Sequence, residues 1–326
     1  MNKLYPLKFK PIFKDKIWGG TRIHSVIGLD FSPLPNCGEA WMLSGVEGNP
    51  SVVTNGFLAG NELNELLEVY MYDLVGDEVY EKYGNEFPVL IKLIDANDWL
   101  SIQVHPDDEL AAKRKIGRGK TEMWYVLGAD KNAELISGFN RKLNKEIYLE
   151  HLQNKTLPEI MNYEKLAEGD VFFMPAGRVH ALGPGTLLAE IQETSDTTYR
   201  IYDWDRTDSE GNSRELHLDE ALDAIDFEVH DKYRTDYPRE EEKSVRLAIC
   251  EHFTTSLISM EKYAIEKDYS SIGSFVSLLC TEGKAIIKCQ DEQYDINAGE
   301  LMLIPAIIDN ILINPLQKTK LLEVFI

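Results

Sequence analysis

The sequence is poor in positive charge. It has 34 Lys and Arg residues against 55 Asp and Glu, which gives a formal net charge of −21 over 326 residues. Nucleic acids and anionic membranes are bound through clustered basic residues, so this balance argues against both as partners. It does not exclude a small anionic ligand, because a few local cations are enough to bind one.

Long apolar runs are missing as well. No stretch approaches the roughly 18 uninterrupted apolar residues of a membrane-spanning helix, and the opening MNKLYPLKFK lacks the apolar segment of a signal peptide. The four cysteines show no CxxC spacing, and we expect reduced thiols at Cys37, Cys250, Cys280 and Cys289. We therefore expect a cytoplasmic protein.

Several functional motifs are also missing. The phosphate-loop pattern G-x-x-x-x-G-K-[ST], the dinucleotide pattern G-x-G-x-x-G and the nucleophile elbow G-x-S-x-G do not occur. What is present is an ordinary globular composition, with 44% hydrophobic and 27% charged residues. The length predicts about two domains.

Short runs rich in β-branched and aromatic residues predict many strands. They are SVVTNG, FPVLIKLI, WLSIQVH, MWYVLG, VFFMP, TLLAEIQE, FVSLLC, KAIIKC and LMLIPA. Helical spacing is rarer. Asn61 can cap a helix that carries Leu63, Leu66, Leu67 and Tyr70 on one face, and DDELAAKRKIG, LHLDEALDAID and EIYLEHL predict further helices. Without βαβ alternation, the pattern favours a mainly β fold of antiparallel barrels or sandwiches with a few inserted helices.

An eight-residue pattern occurs twice. GDVFFMPA begins at Gly169 and GELMLIPA at Gly299, and each reads Gly, an acidic residue, four largely apolar residues, Pro and Ala. A turn glycine that leads into a strand ending at proline suits the same hairpin in two small barrels. A charge-dense stretch, 207–242, separates the two strand-rich blocks. We therefore predict two tandem barrels, in domains spanning 1–240 and 241–326.

Metal-competent residues follow strands of the first block. Gln103 and His105 are two apart and share a strand face, as do Lys120 and Glu122, and His180 lies in a Gly- and Pro-rich segment after a strand. Two His, one Glu and an amide oxygen are suitable ligands for a divalent metal, most often zinc. The same side chains also serve as ordinary hydrogen-bonded groups, and spacing alone leaves both interpretations open.

The motifs then point to a family. G-x5-P-x-G-x2-H, from Gly169 to His180, resembles the second motif of the cupin barrel. In order, five segments resemble the type I phosphomannose (mannose-6-phosphate) isomerases, in their short bacterial form: KIWGG at 16–20, SIQVHPDD at 101–108, GKTEMWYV at 119–126, PAGRVHALGPG at 175–185 and ETSDTTYRIYDWDR at 193–206. The resemblance covers most of the chain. It implies two tandem cupin barrels, a catalytic metal-binding domain over 1–240 and a metal-free domain over 241–326.

Carried over position by position, the resemblance also implies a set of site residues. One zinc ion per chain would be held by Gln103, His105, Glu122 and His180, with the amide as the weakest ligand. The candidate catalytic residues are Arg200, Lys120 and Glu190. The candidate substrate-binding residues are Lys92, Arg206 and Trp18, although a tryptophan beside a strand is also typical of a core.

The implied reaction interconverts mannose 6-phosphate and fructose 6-phosphate, moving a proton between C2 and C1 through a cis-enediol. Zinc would act as a Lewis acid on the developing charge, and an arginine would add donors to it. Glu190, Lys120, a ligand His or bound water could carry the proton. Two other functions stay open: a cupin metal-dependent oxygenase, which the same ligands would serve, and a non-catalytic cupin that binds a sugar phosphate. The expected partner is a small sugar phosphate, and we expect a monomer.

The second barrel departs from the metal-binding pattern. Aligning the two repeats puts Asn310 at the position of His180, and no histidine follows His252. We therefore expect the C-terminal barrel to be structural and to hold no metal.

Overall fold

β-Strands dominate the chain. The computed structural model describes residues 3–207 and 210–326, so Asp208 and Ser209 of the predicted connecting stretch, like residues 1 and 2, lie outside the described residues. The strands of the described part are β1 Leu7–Lys10, β2 Ile12–Lys14, β3 Glu39–Leu43, β4 Val52–Val53, β5 Val89–Ala96, β6 Ile102–Val104, β7 Glu122–Ala129, β8 Glu134–Phe139, β9 Met161–Lys165, β10 Val171–Met174, β11 His180–Leu182, β12 Thr186–Glu193, β13 Tyr199–Tyr202, β14 Arg234–Thr235, β15 Lys243–Ile249, β16 Thr254–Met260, β17 Ile265–Asp268, β18 Val276–Glu282, β19 Lys284–Cys289, β20 Glu292–Asn297, β21 Leu301–Ile304, β22 Asn310–Pro315 and β23 Thr319–Phe325.

Helices are short and lie between these strands. In the described residues the α-helices are α1 Arg22–Ser25, α2 Leu63–Tyr70, α3 Tyr72–Val75, α4 Asp77–Tyr83, α5 Asp108–Arg114, α6 Lys145–Gln153 and α7 Leu218–Ala224. Two turns of 3-10 helix occur at Gly56–Leu58 and Leu157–Ile160. The helices α2, α5, α6 and α7 were predicted, whereas the sequence pattern did not reveal α1, α3 and α4. In the described part of the chain, each helix is too short or too polar to cross a membrane.

The predicted cap of α2 is wrong by one residue. Glu62, not Asn61, is the N-cap, and it forms a capping box with Glu65, whose carboxylate accepts the Glu62 N–H at 2.9 Å. Asn61 instead donates its side-chain amide to the Leu58 carbonyl at 2.8 Å. A capping box satisfies two N–H groups that the first turn of a helix leaves free, which explains why the acidic pair fixes the helix start.

Two pairs of antiparallel sheets form two barrels. The N-terminal barrel consists of a seven-stranded sheet, β14-β10-β7-β12-β5-β3-β2, and a five-stranded sheet, β13-β6-β11-β8-β9. The C-terminal barrel consists of a seven-stranded sheet, β15-β16-β23-β18-β21-β1-β4, and a four-stranded sheet, β17-β22-β19-β20. The prediction of a mainly β fold with two tandem barrels and few helices is confirmed.

Each barrel encloses an apolar interior. Trp124 and Phe172 belong to the cluster inside the N-terminal barrel, and Leu278 and Met302 to the cluster inside the C-terminal barrel. A larger cluster joins the two, and within it the rings of Phe87 and Phe275 lie 4.6 Å apart.

The first strand of the chain belongs to the second barrel. Leu7 in β1 pairs with Leu303 in β21, while Phe9 on the other edge pairs with Val53 in β4. The chain therefore begins in the C-terminal barrel and crosses to the N-terminal one at β2. The division into domains at residue 240 stays a prediction.

Candidate active site

Three strand ends bring the predicted metal ligands together. His105 directly follows β6, Glu122 begins β7 and His180 begins β11, where it pairs with Gln103 of β6. His180 Nε2 lies 3.2 Å from Glu122 Oε1, and His105 Nε2 lies 3.7 Å from Glu122 Oε2. Because one ligand atom of each residue lies within 4.8 Å of the other two, these three residues could hold a metal ion.

The two imidazoles are oriented by backbone carbonyls. His180 Nδ1 lies 2.8 Å from the Arg178 carbonyl, and His105 Nδ1 lies 2.8 Å from the Thr197 carbonyl. A carbonyl only accepts, so each Nδ1 carries the proton and each Nε2 presents a lone pair towards Glu122. Burial lowers the pKa of His180 to about 4, and burial together with the Lys120 charge lowers the pKa of His105 well below its ordinary value. Both rings are therefore neutral near pH 7, the form that binds a metal.

The Glu122 carboxylate is fully buried and poorly satisfied. Among the described residues, neither of its oxygens has a partner in hydrogen-bond geometry, and its one close cation is Lys120, whose Nζ lies 2.7 Å from Oε2 as an ion pair. Burial raises its pKa to about 7, with Lys120 acting in the opposite direction. A buried carboxylate without donors is costly. Two neutral imidazole nitrogens and this carboxylate together fit a divalent cation.

Gln103 completes the cluster on the β6 side. Its Nε2 lies 3.2 Å from His180 Nε2. The nitrogen and oxygen of an amide are assigned from hydrogen bonding rather than seen directly, and a half-turn of the side-chain amide places Oε1 at this position. The structure thus brings together all four residues predicted as ligands.

A polar cavity of about 290 Å³ adjoins the cluster. Gln103 and Lys120 form the wall between them, since Lys120 Nζ also lies 3.2 Å from His105 Nε2. Of the described residues that line the cavity, five are cations and three are anions: Lys16, Lys92, Lys120, Arg200 and Arg214 against Glu39, Glu190 and Asp196. The cavity is therefore locally positive by two charges on a chain whose net charge is −21.

Lys92 and Glu190 form a buried ion pair in this wall. They face each other across β5 and β12, with Nζ 3.0 Å from Oε1, and both residues are at most 4% exposed. Trp124 Nε1 donates to the other Glu190 oxygen at 2.9 Å, and Lys92 also donates to Gln192 at 2.7 Å. Burial acts to raise the pKa of Glu190, but the charges of Lys120 and Lys92 outweigh it and hold the pKa low. Glu190 is therefore an ionised carboxylate at neutral pH.

Arg200 lies on β13, opposite Gln103 of β6. Its Nη1 donates to the Glu215 carbonyl at 2.7 Å, while its Nε is buried and has no hydrogen-bond partner among the described residues. Burial and the neighbouring Arg214 charge lower the pKa of Arg200. Arg200 also lines the cavity, and a guanidinium at a cavity wall is suited to bind an anionic or hydroxylated ligand.

The other two predicted substrate-binding residues lie in different surroundings. Trp18 lines the cavity and is 4% exposed, with its ring in the interior cluster of the N-terminal barrel. Arg206 is not among the described residues that line the cavity, and it donates to the Trp99 carbonyl at 2.6 Å and to Asp203 Oδ1 at 2.5 Å. Arg214, which binds the same Asp203, lines the cavity instead.

The structure adds cavity residues to which the sequence assigned no role. Lys16 and Glu39 form an ion pair of 3.1 Å at the cavity wall, and Asp196 and Arg214 also line it. Lys16 and Asp196 fall inside the segments KIWGG and ETSDTTYRIYDWDR, which carried the family resemblance, so those motifs contained a usable signal. Glu39 and Arg214 fall outside all of the motifs.

Comparison with known proteins agrees with the motifs. The family model of the type I phosphomannose isomerase catalytic domain matches residues 6–135. The chain is 35% identical over 306 residues to the mannose-6-phosphate isomerase ManA of Bacillus subtilis, which covers 92% of this chain and 93% of the relative. It is 33% identical over 304 residues to a mannose-6-phosphate isomerase of Streptococcus mutans, with 92% of each chain covered.

Solved structures give the same result. The crystal structure of the mannose 6-phosphate isomerase from Bacillus subtilis matches with a TM-score of 0.88 and 32% identity, covering 98% of this chain and 99% of that one. A putative mannosephosphate isomerase from Archaeoglobus fulgidus has a TM-score of 0.79 at 21% identity, which is evidence for the fold alone. The family resemblance found in the sequence is confirmed.

Proposed function

The chain belongs to the type I phosphomannose isomerases, and on that basis we propose that it is an aldose–ketose isomerase that interconverts mannose 6-phosphate and fructose 6-phosphate. The observation that carries the proposal is the buried His105, Glu122 and His180 cluster behind a cavity with an excess of positive charge. A phosphorylated sugar is anionic, so a chain with this net charge needs such a local basic region to bind it.

We further propose that the resident metal is zinc, one ion per chain. His105, Glu122 and His180 would hold it, with Gln103 as a weaker fourth ligand. Zinc prefers imidazole nitrogen and carboxylate oxygen and leaves a position open in catalytic sites. When bound, it would supply Lewis-acid stabilisation of charge on the sugar oxygens.

The chain's own residues would bind and orient the sugar. Arg200 lines the cavity as a permanent cation, and it would donate to the oxygen on which negative charge develops as the cis-enediol forms. Lys92 is held by Glu190 and Gln192, so its charge is fixed in the cavity wall. Trp18 would form an apolar edge of the cavity.

We propose that Lys120 carries out the proton transfer between C2 and C1: as the neutral amine, its Nζ would take the proton from one carbon and return the same proton to the other. Glu190 is the other titratable candidate in the cavity wall, but both of its oxygens already accept hydrogen bonds, from Lys92 and Trp124, and its low pKa makes it a weak base. Lys120 Nζ stands between the metal cluster and the cavity, 4.0 Å from Glu190 Oε1. Glu190 then acts as a positioning charge for Lys120.

A coupled assay tests the function. Fructose 6-phosphate formation from mannose 6-phosphate is measured on the purified protein before and after chelation, and again after zinc is added. We expect activity that is lost on chelation and restored by zinc. His180→Ala should abolish it, whereas His24→Ala, which changes an exposed histidine, should not. An active protein that ignores chelators would refute the zinc proposal, and an inactive zinc-loaded protein would refute the function.

The metal-dependent oxygenase stays as the weaker alternative. Two His and one carboxylate would serve it equally well, but an oxygenase has no need of the basic wall formed around Lys92, Lys120 and Arg200. Oxygen consumption in the absence of isomerase activity would favour it.

A further inference from the structure

Several strands of the two barrels can be aligned through their strand pairings. We start at the fourth residue of each eight-residue repeat, move to the residue paired with it on the neighbouring strand, and then move once more in the same way. The residues reached in the two barrels occupy corresponding strand positions. In the N-terminal barrel the path runs through Phe172, Trp124 and Glu190. In the C-terminal barrel it runs through Met302, Leu278 and Glu323. Glu323 therefore occupies the position of the active-site carboxylate Glu190.

The next strands extend this correspondence. Glu190 pairs with Lys92, and Glu323 pairs with Ser256, so Ser256 stands at the position of Lys92. One strand further, Arg246 stands at the position of Trp41, because these residues pair with Ser256 and Lys92 respectively. By the same register Ser244 corresponds to Glu39, since they pair with Ile258 and Ile94.

These positions again line a cavity. A cavity of about 490 Å³ in the C-terminal barrel is bordered by Ser244, Arg246, Ser256 and Glu323, together with Lys267 and Tyr269. The cavity of the N-terminal barrel is bordered by the corresponding Glu39, Lys92 and Glu190. Both barrels thus have a polar cavity at the same place. The position of Glu122 is taken by Val276, because Val276 pairs with Ile304 as Glu122 pairs with Met174, and the second cavity therefore lacks this metal ligand.

The carboxylate in this cavity is buried and held by several hydrogen bonds. Glu323 is 2% exposed, and its two oxygens lie 2.7 and 2.9 Å from Lys267 Nζ. Tyr269, itself 4% exposed, donates its hydroxyl to Glu323 Oε1 at 2.9 Å, and Ser244 donates to Oε2 at 3.2 Å. A buried charge with four such contacts holds its neighbours in fixed orientations.

The charges around the cavity determine the kind of ligand. Two cations, Arg246 and Lys267, face two anions, Asp268 and Glu323, so the described lining is neutral overall. The Arg246 guanidinium stacks over the Phe325 ring at 5.5 Å and has no ion pair within the described residues. The rest of the polar lining is hydroxyl groups. A neutral wall with hydroxyls, one free guanidinium and an aromatic ring suits a sugar or polyol better than an anion.

We propose that the C-terminal barrel holds a second, metal-free binding site for a neutral polyhydroxylated small molecule, a hexose or a polyol. Its volume lies in the range of small-molecule sites and exceeds that of the first cavity. The site does not depend on the isomerase assignment, since it shares no residue with the first cavity.

A ligand-observed NMR titration of the full-length protein with D-mannose tests the site. We expect a dissociation constant in the millimolar range, about −4 kcal/mol. Ser256→Phe fills the cavity and should weaken binding at least about tenfold, while leaving isomerase turnover unchanged. Arg246→Ala, at an exposed rim position that does not endanger folding, should also weaken binding. Ser25→Phe, the same change at an exposed serine, should do neither.

The remaining outcomes overturn the proposal. If mannose binds equally well to the wild type and to both cavity variants, the sugar is bound elsewhere. If inorganic phosphate displaces mannose from a site that Ser256→Phe closes, the ligand class is an anion. If neither mannose nor mannitol binds at concentrations up to about 100 mM, the polar cluster around Glu323 is purely structural. These binding measurements do not require isomerase activity. The proposed isomerase function and the proposed second site can therefore each be refuted without the other.

Discussion

Breaking the buried Lys92–Glu190 pair should destabilise the N-terminal barrel. Glu190→Gln keeps the shape of the side chain and an acceptor for Trp124 Nε1, but removes the charge that faces Lys92 at 3.0 Å. Breaking one partner of a buried pair costs about 3–5 kcal/mol, because the other charge is left uncompensated. Lys92 retains Gln192 as an acceptor at 2.7 Å, so we expect the lower end, about 3 kcal/mol.

Urea unfolding followed by circular dichroism measures this cost. The matched control is Glu241→Gln, which removes an exposed carboxylate 3.7 Å from Lys318 and should change the free energy of unfolding by less than about 0.5 kcal/mol. Lys92→Met combined with Glu190→Gln removes both charges, and the double variant should be more stable than Glu190→Gln alone. The reasoning is wrong if Glu190→Gln lowers the free energy of unfolding by less than about 1 kcal/mol. It is also wrong if the losses measured for Lys92→Met and Glu190→Gln separately add up in the double variant, because the pair would then be effectively solvated.

Four other outcomes are expected. Arg200→Ala should lower kcat by roughly 10²–10³-fold with unchanged metal content. Arg200→Lys should keep a kcat well below that of the wild type, because lysine lacks the planar pair of guanidinium donors. A change in KM alone would show that Arg200 only anchors the substrate. Arg214→Ala should raise KM for the sugar phosphate more than Arg206→Ala does, since only Arg214 lines the cavity; equal effects would contradict this placement. Asn310→Ala should leave kcat within about tenfold, or about 1.4 kcal/mol, and a larger loss with the fold intact would bring the C-terminal barrel into the active site. Chelation should lower the melting temperature, because an ion that binds only the folded state stabilises it, and an unchanged value would mean that the site holds no ion.

Part of the metal cluster follows from the local geometry of strands. Gln103 and His105 share a strand face by the two-residue period of a strand, and Glu122 and His180 each stand at the first residue of a strand. Strand ends of one barrel meet at one mouth, so the spacing of residue types makes a shared site possible, and the family motifs then selected the four ligands. The same holds for Lys120, which is two residues before Glu122 and points to the same side.

The rest of the cavity depends on tertiary pairing. Glu39 reaches the cavity because β3 pairs with β5, with Glu39 opposite Ile94, and the two strands are some fifty residues apart in sequence. Arg206 and Arg214 both bind Asp203, but of the two only Arg214 is among the described residues that line the cavity. Residue type alone does not predict which of the two arginines lines the cavity, and the motif match favoured Arg206.

The comparison of the barrels separates what the fold requires from what the chemistry requires. Both barrels place a buried glutamate at the corresponding position, but the cation that pairs with it differs. In the N-terminal barrel it is Lys92, from the neighbouring strand β5. In the C-terminal barrel it is Lys267, from β17 in the opposite sheet. A buried carboxylate must be neutralised wherever a cation can reach it, so the pair by itself is no sign of catalysis. The residues that distinguish the barrels are at the strand ends, where Glu122 stands in one barrel and Val276 in the other. The repeats likewise place His180 in one barrel and Asn310 in the other. Because the C-terminal barrel has no histidine or carboxylate at these two positions, we expect a metal, and with it the proposed isomerisation, in the N-terminal barrel.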